Sequence, residues 1–226
     1  MDDIVTSMHI SLGKAHVEGI PEYIKNLQAI SDRLEDFHLE GKAALMFATV
    51  GCSVTIRERA EPPDLALKFN NEQFYAEVKH FRKKEQDRID AARMSDPNCC
   101  VDEFGPYLVP YGDTVPLEGK CAWQQVYDVA KNKIKQYREH AANVLVIESS
   151  STSIEESEIA TAINMINGDI GHGKCLGLAR LNGILLALDW YNISQQWRKV
   201  FFYPTSNPAV SLSRELSALL GNICLG

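Results

Sequence analysis

No stretch of this chain approaches the roughly 20 consecutive apolar residues that a membrane-spanning helix needs. The opening MDDIVTSMHISLGKAH has no basic segment followed by an apolar block, so it does not read as a secretory leader. These absences predict a cytoplasmic protein with no membrane partner. Positive charge is also in deficit. With a formal net charge of -7, the average field repels nucleic acid and anionic lipid alike, and any polyanion binding has to come from a local patch. The cysteines, at 52, 99, 100, 121, 175 and 224, show neither CxxC spacing nor a regular framework. That pattern argues against a zinc site or a disulfide scaffold and predicts reduced thiols. The histidines, at 9, 16, 38, 80, 140 and 172, have no metal-ligand spacing. Internal repeats and low-complexity tracts are missing as well.

What the chain does have is apolar content of 45% over 226 residues, enough for a single domain with one substantial core. Ile24, Leu27, Ile30, Leu34 and Phe37 recur at intervals of three and four behind Pro21 and Glu22, predicting a helix over about 21–38. EGKAALMFATVG, 40–51, continues or restarts that helix, is apolar nearly all round, and ends at Gly51. CSVTIRERA reads as a strand, residues 62–81 as a hairpin, and RKKEQDRIDAARM as a charged segment with helical potential. The prolines and glycines of 95–119 predict a long loop without regular structure. Trp123, Val126, Ala130, Ile134 and Tyr137 mark an amphipathic helix over 121–139, followed by the apolar strand NVLVIES. A helix near 154–167, strands near 183–190 and 199–204, and a short helix at 211–220 complete an α/β order, which predicts a mixed sheet with helices on its faces.

The hairpin PPDLALKFNNEQFYAEVKHF carries the chemistry. If Asn70 and Asn71 form a tight turn, Phe69 lies opposite Glu72 and Asp64 opposite Glu77. Alternation then puts Leu65, Leu67, Phe69, Phe74, Ala76 and Val78 on a core-facing side. Asp64, Ala66, Lys68, Gln73, Tyr75, Glu77 and Lys79 share the other side, where two carboxylates repel unless a cation lies between them. An oxygen-only pair suits a hard divalent ion. Lys79 is placed to orient or deprotonate a water, or to stabilise charge on a phosphoryl oxygen.

Pro63-Asp64 followed by Glu77-x-Lys79 resembles the signature of the PD-(D/E)xK nuclease superfamily. Residues 40–149 also follow that family's αβββαβ order, with 1–226 as one domain, 21–38 as an added N-terminal helix and 150–226 as an extension. The resemblance implies a restriction-endonuclease-like core and a metal-dependent endonuclease that hydrolyses phosphodiesters, DNA before RNA. It implies Mg2+, or Mn2+ in its place, held by Asp64, Glu77 and the Val78 carbonyl. Lys79 would position the attacking water. Glu40 matches the family's glutamate on the first core helix, although a glutamate at a helix start also favours the macrodipole. Duplex cleavage implies a homodimer, since two strands need two sites.

Arg82, Lys83 and Lys84 of the KHFRKK run, with Gln124 and Lys131 of the following helix, are candidates for contacting substrate. Each also reads as part of a solvated charged face. GDIGHGKC fits the spacing of a phosphate loop, but Cys175 stands where a magnesium-binding hydroxyl belongs, and a helix rather than a strand precedes it. Two readings compete with the nuclease. One is a catalytically inactive relative that binds nucleic acid or a protein; the other is a small-molecule hydrolase or structural subunit whose hairpin charges only form ion pairs.

Overall fold

A computed structural model describes residues 2–29, 34–58, 62–81, 100–104, 107–111, 122–149, 156–188 and 199–223. The first element is α1 (Asp2–Lys14), whose residues Val5, Met8 and Leu12 recur at helical spacing and are all buried. Two helices follow, α2 (Ile20–Ala29) and α3 (Leu34–Thr49), where the periodicity predicted one helix over 21–38. Tyr23 shows why they are separate: its hydroxyl donates to the carbonyl of Phe37 at 2.7 Å. Residues that far apart in a continuous helix lie roughly 20 Å from each other. The chain folds back so that Tyr23, Leu27, Phe37 and Leu39 share one core.

Three antiparallel strands come next: β1 (Ser53–Ile56), β2 (Leu65–Phe69) and β3 (Glu72–Phe81). Phe69 pairs with Glu72 and Leu65 with Ala76, the register expected from the asparagine turn. Of the two turn residues, only Asn70 takes a positive φ, +52°. The segment read as a breaker-rich loop contains a separate two-stranded sheet, β4 (Cys100–Phe104) and β5 (Tyr107–Tyr111). Pro110 lies within it, opposite Val101, and a two-stranded sheet, all edge, tolerates the missing donor. The charged segment 82–94 lies outside the described residues.

Helix α4 (Ala122–Asn132) is shorter than the predicted 121–139. The amide of Ile134 already bonds back three residues to Lys131 at 3.2 Å, so the helix tightens and gives way to turns before Tyr137. The remainder is β6 (Ala142–Ser149), α5 (Glu156–Gly171), β7 (Leu181–Leu188), β8 (Lys199–Pro204) and α6 (Arg214–Gly221). Ser213 caps α6 by accepting from the Leu216 amide at 3.0 Å.

The main sheet is six-stranded, in the order β1-β2-β3-β6-β7-β8. Pairing is parallel at β3–β6 and β6–β7 and antiparallel elsewhere. Helices flank both faces. Val144 and Val146 of β6 pack with α1, α2 and α3, whereas Leu145 and Ile147 pack with α4 and α5. A strand covered on both sides reads as a continuous apolar run, as NVLVIES does. No described helix is long and apolar enough to cross a membrane.

Candidate functional site

Asp64 stands just before β2 and is held from two directions. Its carbonyl accepts from the Arg57 amide at 2.9 Å, and its Oδ2 accepts from the Val78 amide at 2.7 Å. The carboxylate is thereby tied across the hairpin to β3. Continuing the Leu65–Ala76 register brings Glu77 opposite it. Asp64, Glu77, Val78, Lys79 and Glu40 all line one cleft of about 320 Å³, so the predicted catalytic and metal-binding set comes together in space. Glu40 arrives there from within α3 rather than from its start, so the macrodipole does not account for it. Helix α3 is fastened to the end of β6 by a buried ion pair, Lys42 Nζ to Glu148 Oε1 at 2.9 Å.

Glu77 is only 1% exposed. On a face that alternation makes the outer one, such burial needs a cover, and the turns after α4 supply it. Lys133 forms an ion pair with Glu77 Oε1, while Gln136 lines the cleft and Tyr137 is buried beside it. Among the described residues, Glu77 Oε2, Gln136 Oε1 and the Tyr137 hydroxyl are buried and find no hydrogen-bond partner. Burial pushes the Glu77 carboxyl up to about 7, the Asp64 charge adds to the rise, and Lys133 opposes it. The Tyr137 phenol is raised by burial and then by the charge of Glu77. Native interiors leave few polar atoms orphaned. Here two acceptor oxygens without donors stand with the Asp64 carboxylate in one cleft.

Among the described residues, no three His, Cys, Asp or Glu side chains form a group able to hold a metal. The donor chemistry nevertheless fits magnesium in kind. That ion takes oxygen ligands only, is commonly held by one or two carboxylates, and keeps several of its waters. For such an ion, Asp64 and Glu77 would be the carboxylates and Gln136 a neutral oxygen.

Not every predicted contact reaches the cleft. Gln124 and Lys131 do not line it, and Lys131 is exposed, its Nζ 5.0 Å from the centre of the Tyr127 ring. Their expected placement rests on one helix over 121–139. Because α4 ends at Asn132, Lys133 and Gln136 turn inward instead. The sign of these inward-turning residues in the sequence is the local polarity of KNKIKQ, which helical periodicity does not resolve. Strand alternation gives His80 the parity of the apolar side of β3, yet it lines the cleft, beyond the apolar part of the strand. Arg82, Lys83 and Lys84 lie outside the described residues. No protein-family model, curated protein or solved structure matches the chain.

Proposed function

We propose that the protein is a metal-dependent endonuclease with a restriction-endonuclease-like core formed by α3, β1, β2, β3, α4 and β6, acting on DNA in preference to RNA. One observation carries this reading: Asp64, Glu77 and Lys79 line a single cleft in which Glu77 Oε2 and Gln136 Oε1 are buried without donors. A hard cation resolves that deficit more simply than any neutral group, because every orphan lining the cleft beside Asp64 except His80 Nδ1 is an oxygen acceptor. Asp64 and Glu77 would hold Mg2+ or Mn2+, with the Val78 carbonyl and the Gln136 amide oxygen as further oxygen donors. The bound ion supplies Lewis-acid polarisation of the phosphodiester and a more acidic water. Lys79 orients the attacking water and stabilises charge on the phosphoryl oxygens. Glu40 steadies waters at the far wall. Lys133 keeps the Glu77 charge compensated when no ion is present.

That same ion pair favours a second reading, a catalytically silent relative that binds nucleic acid or a protein, since Lys133 already occupies one of the two Glu77 oxygens. Cleavage separates the two. Purified protein with magnesium or manganese is expected to cut plasmid or linear DNA, and Lys79→Ala is expected to slow cutting by roughly 100-fold or more while remaining folded. Intact plasmid DNA, linear DNA and RNA after incubation with wild-type protein would dismiss the nuclease in favour of the binding module.

A further inference from the structure

Glu77 uses its two oxygens unequally. Lys133 forms an ion pair with Oε1, while Oε2 is buried and finds no hydrogen-bond partner among the described residues. Asp64, its neighbour across the hairpin, also has an oxygen engaged by the protein, since Oδ2 accepts from the Val78 amide at 2.7 Å. Each member of the acid pair therefore has one oxygen already taken by a donor. The two donors differ in kind. At Asp64 the donor is a backbone amide of β3; at Glu77 it is a side chain, which a substitution can remove.

Lys133 is built into that position. Its amide donates to the Val129 carbonyl at 3.0 Å, continuing the bonding of α4 past its last residue. Its carbonyl accepts from the Gln136 amide at 2.8 Å and from the Tyr137 amide at 3.3 Å. One closed turn thus carries Lys133 and Gln136 to the cleft together and buries Tyr137. The Lys133 side chain is 23% exposed and that of Glu77 1%. The lysine has a route to solvent, but its departure would strand an uncompensated charge in the interior.

Oxygen count separates the hard cations. Ca2+ takes roughly six to eight oxygens at about 2.3–2.6 Å, and carboxylates that lend both of their oxygens help to reach that number. Mg2+ takes about six at about 2.0–2.1 Å, from one or two carboxylates and several retained waters. Mn2+ shares that octahedral oxygen geometry.

We infer that Lys133 is the ion-selectivity residue of the cleft: by holding Glu77 Oε1 it limits Glu77 to one coordinating oxygen, and so favours Mg2+ or Mn2+ over Ca2+. The selectivity rests on the proposed metal-dependent activity. The ammonium and the ion act on different oxygens of Glu77, whose charge offsets part of their repulsion, so Lys133 stays in place when the ion binds. It acts through Glu77 and is a positioning residue. The pairing that compensates Glu77 in metal-free protein thereby also dictates how it coordinates.

Calorimetric titration of the full chain with Mn2+ and with Ca2+, in the absence of nucleic acid, reads the ratio of the two dissociation constants. A change in overall charge, or in how readily Glu77 ionises, affects both ions alike and cancels in that ratio. Wild type is expected to bind Mn2+ at least about tenfold more tightly than Ca2+. Lys133→Met is expected to shift the ratio about five- to tenfold toward Ca2+, because Oε1 becomes available. Lys133→Arg, which keeps a cationic donor, should hold the wild-type ratio, as should Lys131→Met, which removes the same charge from an exposed position outside the cleft. A second measurement needs only folded wild type: in protein carrying 13C-labelled lysine, the Lys133 Cε resonance, assigned by its loss in Lys133→Arg, is expected to keep its ion-paired position when Mg2+ is added. A Lys133→Met protein that melts cooperatively and retains the wild-type ratio overturns the role of Lys133 and leaves the metal site standing. Movement of the Lys133 resonance to that of a solvated lysine on adding Mg2+ does the same. Binding of neither ion to wild type, or equal binding to wild type and to the Asp64→Asn, Glu77→Gln double variant, removes the metal-dependent reading and the selectivity together.

Discussion

Glu77 has one oxygen committed to the Lys133 ammonium and the other buried with nothing to donate to it. Its proton affinity follows from that environment, with burial first and the Asp64 charge second. A carboxyl raised to about 7 holds its proton more tightly in the folded protein than in the unfolded chain. The resulting stabilisation is complete below the ordinary carboxylate range and is lost as pH rises through about 7. In metal-free protein, the melting temperature of wild type minus that of Glu77→Gln is therefore expected to fall steadily between roughly pH 4 and pH 8. A flat difference across that range would show that folding does not raise the proton affinity of this carboxyl. The partners of Glu77 were legible in part: Asp64 and Lys79 follow from alternation, whereas Lys133 and Gln136 depend on where a helix stops.

Helix α3 presses against α1 and α2 closely enough that one glycine is obligatory. A Cβ at Gly41 would come within 2.3 Å of the Tyr23 hydroxyl and 2.8 Å of the Met8 sulfur. The hydroxyl is already bound to the Phe37 carbonyl and cannot move without losing that bond. Alanine gains about 1 kcal/mol of helix propensity over glycine, but overpacking a filled core costs about 1–3 kcal/mol. Gly41→Ala is expected to lower the melting temperature, while Gly168→Ala, within α5 with nothing within 4 Å of the added methyl, is expected to raise it. Melting curves of the two variants check both signs. The distinction could not be made from the sequence, where both are merely glycines inside apolar segments.

Across the whole molecule, the charge deficit is global and the cationic groups are local. Lys79, Lys133, Arg57 and Arg138 come from separate segments and meet along one side of β3. On the proposed reading, a cation between Asp64 and Glu77 would stabilise the folded state by mass action, by about 2.7 kcal/mol at 100 times its dissociation constant. Magnesium is expected to raise the melting temperature of wild type by several degrees and to leave the Asp64→Asn, Glu77→Gln double variant unmoved. An equal shift in both proteins would place the ion elsewhere.

The sequence by itself determined the hairpin, its register and the two-residue alternation that puts Asp64, Glu77 and Lys79 on one face, because those depend on neighbours along the strand and on a turn that Asn70 tolerates. It also determined β6 as a strand covered on both sides, since an unbroken apolar run has no solvent face to give. Only the tertiary structure decided that α2 and α3 are separate helices, that α4 stops at Asn132, and that the turn beyond it buries Glu77 against Lys133. It alone brought Arg57 and Arg138 to the ring of Tyr75. The physical reason is range: alternation and turns are local preferences, while helix ends and ion pairs are fixed by contacts between segments whose separation along the chain leaves no periodic trace.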